Sequence, residues 1–146
     1  MAQFGRPSVD TVNEGYTDQG GGGANLYTTL DEVVRDDADY IKSVVAPTSD
    51  VYVTKLTAVE DPLSSANHII RYAYGKDAAG GAQIDQTVQL RQDYVNEGAQ
   101  GTLIHEAVHT NVAVAWVAGT FTLTGPEADS ITNYPNLYVR VVSNQV

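Results

Sequence analysis

Apolar residues recur at every second position over much of this chain, the mark of strands with one face turned to a core. Thr120–Thr124 puts Phe121 and Leu123 on one face and Thr120, Thr122 and Thr124 on the other. Leu137, Val139 and Val141 likewise alternate with Tyr138 and Arg140. Between these two strands Thr124-Gly-Pro-Glu127 forms a capping box, in which the threonine hydroxyl accepts the Glu127 N–H while the glutamate reaches back. Pro126 fits the first helical turn, and Pro135 forces an extended Tyr134, so the helix ends by Asn133.

Upstream, Leu26, Tyr27, Leu30 and Val34 have loosely helical spacing that Asp36-Asp-Ala-Asp39 breaks, giving a short helical or irregular piece before a strand over Tyr40–Val45. Further strands are predicted over Val51–Thr57, Asn67–Gly75, Ala82–Gln92 and Leu103–Val108. Turn signals divide them at Asp61-Pro62, Lys76–Gly81 and Asn96-Glu-Gly98. About eight short strands at this spacing predict an all-β, jelly-roll-like β-sandwich over residues 26–146, with one short helix near the C-terminus. Residues 1–25 contain Gly15 and the run Gly20–Gly23 but almost no apolar periodicity, so they read as an extended N-terminal arm that gains order on a partner.

Eighteen acidic against eight basic residues give a formal charge of −10, the wrong sign for a nucleic-acid partner, which needs clustered Lys and Arg. With no cysteine, disulfide and thiolate chemistry are excluded. No apolar run is long enough to span a membrane, and Met1-Ala-Gln-Phe-Gly-Arg-Pro7 lacks the apolar core of a secretory signal, so the chain is expected to be made and assembled in a cytoplasm.

His105-Glu-Ala-Val-His109 matches H-E-x-x-H, in which two histidines one helical turn apart bind zinc and the glutamate activates water. A zinc hydrolase is therefore one reading. Against it, a third ligand is lacking: His68 precedes a strand pattern and Glu127 is a capping residue. The G-x-x-H continuation of the extended motif is missing as well. Thr110, Val112, Val114 and Val117 favour a strand, which would separate the two imidazoles by about 13 Å. The competing expectation is a half-exposed strand with solvated histidines.

Asp36, Asp37 and Asp39, with Asp31 and Glu32, offer oxygen to calcium but lack the spaced D-x-D-x-D-G pattern, and read as a solvated acidic turn. The glycine run is not followed by the Lys-Ser/Thr of a phosphate loop. Tyr52, Tyr72, Tyr74 and Tyr138 suit a sugar platform, yet they lie in strand patterns where sheet packing accounts for them. No metal, cofactor or catalytic residue is assigned.

Several segments, in order, resemble a family of tailed-bacteriophage virion proteins. They are Arg6-Pro7, Gly15-Tyr-Thr17, Leu26-Tyr27 with Asp31-Glu32, Asp37-Ala-Asp-Tyr40-Ile41, Asp61-Pro62, His68-Ile-Ile-Arg-Tyr72 and Val88-Gln-Leu90. Trp116, Phe121-Thr-Leu-Thr124, Glu127-Ala-Asp129, Ile131-Thr-Asn-Tyr134 and Leu137-Tyr-Val-Arg140 complete the set. The resemblance implies a non-enzymatic capsid decoration (cement) protein on the outer capsid surface of the virion. It would bind the major capsid protein and copies of itself as a homotrimer, without nucleic acid or membrane. A neck, tail or fibre-base component is the alternative. Phe4, Arg6, Pro7, Tyr16 and Tyr27 are the expected contact residues.

Overall fold

The computed structural model describes residues 2–32, 34–77 and 82–146, and it is built mostly of strands. Among the described residues there are nine strands, β1 (Pro7–Glu14), β2 (Thr17–Asp18), β3 (Ile41–Lys42), β4 (Thr48–Leu56), β5 (Ile69–Tyr74), β6 (Ile84–Gln92), β7 (Thr102–His109), β8 (Val117–Thr122) and β9 (Leu137–Gln145). One α-helix, α1 (Gly125–Asp129), and two short 3₁₀ turns, Leu26–Thr29 and Tyr134–Asn136, complete them. The all-β expectation therefore holds, and no described helix is long and apolar enough to cross a membrane. The turn expected over Lys76–Gly81 falls partly outside the described residues.

A five-stranded antiparallel sheet in the order β1-β4-β9-β6-β7 forms the body. Directly paired residues share a face. Tyr52, Val141, Val88 and Ala107 thus make one row across four strands, and Thr54, Val139, Leu90 and His105 make the next. This face is covered in two places. The β5–β8 sheet brings Ile70, Tyr72 and Phe121 over Val88, Leu90 and Ile104, and Leu123, Ala128, Ile131 and Tyr134 close the margin of that core. The small β2–β3 sheet and the turn at Leu26–Thr29 cover Tyr52 and Val141 with Tyr16, Leu26 and Ile41. Gly119 lies opposite Tyr72 in the β5–β8 ladder, and a Cβ there would meet the tyrosine ring at 2.4 Å, so glycine lets the ring lie across its neighbour.

The strand pairings are nested. β4 pairs with β9, β5 with β8 and β6 with β7, so each outer pair encloses the next in sequence, and β9 also pairs with β6.

The region expected to be an arm is instead part of the body. β1 pairs antiparallel with β4 from Pro7 to Glu14, and further out Gln3 exchanges hydrogen bonds with the Glu60 backbone at 3.0 and 2.7 Å. Two register shifts, Pro7/Val9 and Asp10/Val12, break the alternation of β1 and hide it from a period-two reading. Polar groups do the anchoring: the Asp10 carboxylate accepts the N–H groups of Leu26 and Tyr27 at 2.7 and 2.8 Å and the Tyr52 hydroxyl at 2.7 Å. The glycine run also has internal order, because Gly22 wraps the Asp18 carboxylate so closely that a Cβ would stand 2.6 Å from its oxygen.

Asp10→Ala leaves the fully buried Tyr52 hydroxyl and two amides without their acceptor, and is expected to lower stability by about 2–4 kcal/mol. Urea unfolding measures this. A loss below about 1 kcal/mol would show that β1 is not held by this carboxylate.

Candidate functional site

The H-E-x-x-H motif lies on β7, an edge strand, and not on a helix. Its two histidines share a face, as the strand expectation has it, and both are half-buried and partnered rather than facing solvent alone. Cross-strand pairing with Leu90 and Gln86 turns both toward the covered side of the sheet, so each finds partners in the layer above. The His105 ring stacks on Phe121 with centroids 4.1 Å apart, and its Nδ1 lies 2.7 Å from Glu127 Oε1. The His109 ring stacks on Tyr74 at 3.9 Å, and its Nε2 lies 2.7 Å from the Tyr72 hydroxyl. Two imidazoles at this strand spacing, about 13 Å apart, do not converge on one ion. Among the described residues no group of three or more His, Cys, Asp or Glu side chains is placed to hold a metal.

The capping box does more than stop β8. Thr124 Oγ1 accepts the Glu127 N–H at 3.4 Å, and Glu127 Oε2 accepts the Thr124 N–H and hydroxyl at 2.7 Å each. That leaves Oε1 free for His105, so one carboxylate caps α1 and ties it to β7. The Thr124 amide first, then His105 and the Thr124 hydroxyl, stabilise the carboxylate and hold its pKa down at about 2. Burial shifts His109 the other way for charge, lowering its pKa and favouring the neutral ring between the tyrosines. His68, on the segment entering β5, is engaged separately with the Tyr134 hydroxyl at 2.9 Å.

The expected contact residues divide. Phe4 is 66% exposed, with the Arg6 guanidinium over its ring at 5.6 Å. Arg6 itself donates to the backbone carbonyls of Asp31 and Glu32 at 3.4 and 2.5 Å, which anchors the acidic loop, and Pro7 opens β1 half-buried. Tyr27 is half-buried beside Asp10. Tyr16 is a correction: it is only 3% exposed, its hydroxyl bonded to Ser143 at 2.7 Å, and burial pushes its pKa up to about 12. It is a core residue because β1 carries it onto the covered face, and it has no surface to offer a partner. In the acidic loop Asp37 pairs with Arg35 and Asp36 caps the Ala38 amide, while burial and Asp39 raise the Glu32 pKa.

A polar group on the opposite face of the large sheet escaped sequence reasoning. Arg140 forks onto Glu97 at 2.9 and 2.5 Å, Tyr94 donates to the same carboxylate at 2.6 Å, and Arg91 donates to Gln89 at 2.7 Å. Arg140 above all holds the Glu97 carboxyl below its usual range. The alternation around Arg140 gave its face, but nothing in the sequence shows that residues 93–101 fold back over it.

No protein-family model, no curated protein and no solved structure matches this chain.

The depressed Glu127 pKa makes its charge stabilising above the unfolded-state value near 4.5, with that contribution lost as pH falls toward about 2. Glu127→Gln is therefore expected to cost about 1 kcal/mol at neutral pH and progressively less between pH 4.5 and 2. Urea melts of both proteins across that window check it, and a pH-independent difference would contradict the linkage. Zinc titrated into the folded protein by calorimetry is expected to give no saturable heat that His105→Ala removes.

Proposed function

We propose that this chain is a non-enzymatic structural protein of a tailed-phage virion. In this reading it is a decoration protein on the outer face of the head that bridges major capsid subunits and assembles as a homotrimer. The observation that carries the proposal is the nesting of β4·β9 around β5·β8 around β6·β7, which supports a shortened jelly roll with β1 added at its edge. The fit is at the level of architecture, and the resemblance of the segments supplies the role.

The mechanism is adhesive. A folded body seated over the junction of two shell subunits binds only the assembled state, so its binding free energy adds to shell stability, and repetition over the shell makes modest affinities sufficient. Phe4 supports this use: it is an exposed aromatic ring held on a rigid edge, with Arg6 over it and Gln3 fixed to the Glu60 backbone. Such a ring binds at low entropic cost because the segment carrying it is ordered before contact.

Quantitative mass spectrometry of purified virions tests the reading. Decoration predicts roughly hundreds of copies per particle, whereas about a dozen would move the chain to the neck or tail. Because β1 belongs to the sheet, removing residues 2–23 would damage the body, so the contact itself is tested by Phe4→Ala. That change is expected to weaken binding to undecorated heads about tenfold without altering the melting temperature. Undiminished occupancy would remove Phe4 from the interface.

A further inference from the structure

The end of the body opposite Phe4 carries an apolar rim. Four segments meet there side by side, joined by backbone hydrogen bonds: Gln145 N–H to the Pro47 carbonyl at 2.8 Å, Val146 N–H to Gln83 at 3.0 Å and Val112 N–H to Ile84 at 2.8 Å. They bring Val44, Val45, Val114 and Val146 to one end of the sheet, exposed by 51, 94, 56 and 70%. Isolated exposed valines are ordinary, but four on adjoining segments form a patch.

The side chains of the rim are also uncharged. Ser43–Pro47, Ala82–Ile84, Asn111–Trp116 and Ser143–Val146 contain no Asp, Glu, Lys or Arg, in a chain with 26 such residues and a net charge of −10. Three charges at its border are directed onto the rim's own polar groups. Asp85 accepts the Asn111 N–H at 2.7 Å, Asp50 accepts the Val44 N–H at 3.2 Å, and Lys76 donates to the Ala82 carbonyl at 2.9 Å. The turns that present the valines are held in place as well, with Ala46 and Asn111 both in the left-handed region at φ 60 and 48°.

We infer that this rim is the interface between copies of this chain. Charge selects the occupant: two bodies each at −10 repel over their acidic surfaces, and an apolar end free of charged side chains is where like copies approach at the least cost. A basic partner would gain nothing at the rim and would be drawn to the acidic faces instead. The inference rests on the oligomer in the proposed function but not on the shell, since it concerns copies meeting in solution.

Sedimentation velocity on the full chain over roughly a hundredfold concentration range tests it. The native protein is expected to populate an oligomer. Val45→Asp combined with Val114→Asp is expected to leave only the 15.6 kDa species, with an unchanged far-ultraviolet circular dichroism spectrum. Leu63→Asp, at the opposite end and 89% exposed, controls for loss of any surface apolar residue and should leave assembly intact. A native protein that stays monomeric throughout overturns both the rim and the self-assembly it rests on. An oligomer that survives the double substitution, or one that Leu63→Asp abolishes, overturns the rim alone.

Discussion

The ladder on both sides of β9 is the constraint from which the rest of the structure follows. The strand lies between β4 and β6 and pairs with each along most of its length. Its inward residues Leu137, Val139 and Val141 link the rows that the two covering sheets seal, and Arg140 on the other face fixes the loop at Glu97. A one-residue slip of β9 would turn all of these to the wrong side. Because β9 pairs with β4 and β6, both far earlier in sequence, the large sheet depends on contacts of long sequence separation, a topology that folds slowly.

The same geometry decides what the histidines do. Once β6 fixes the register of β7, His105 and His109 lie on the core side, where the β5–β8 layer supplies an aromatic ring to each and the Tyr72 hydroxyl to His109, while α1 supplies Glu127 to His105. Their rings and ring nitrogens join the two layers at this edge. Glu127 serves both sides of that joint, capping α1 and meeting His105. The joint is thus polar and aromatic at its margin and aliphatic at its centre, around Val88 and Leu90.

Much of this was legible in the chain because local chemistry coincides with the tertiary demand. The capping box at Thr124–Glu127, the alternation of Phe121 and Leu123 and that of Leu137 to Val141 each appear where expected. The motif lies on a strand as expected, but Thr110, Val112 and Val114, which pointed to it, fall in the irregular segment after β7. β1 was not legible, because bulges break its period and a half-buried carboxylate secures it. Tyr16 was misplaced with it. The partners of His105 and His109 were also out of reach, since which strand covers which face depends on contacts far apart in sequence. Of the expected contact residues, Phe4 alone keeps a largely exposed ring, and exposure is a property of the folded edge that composition does not encode.

The proposal sets this β-rich body, with its exposed Phe4 edge, among the subunits of a phage shell. A cryo-electron microscopy reconstruction of the mature head is the most direct test. The account predicts density fitting the five-stranded sheet on the outer surface, over junctions between shell subunits, with the Phe4 edge against the shell. Heads whose outer surface holds no such density, or particles with the chain confined to the tail, would contradict it.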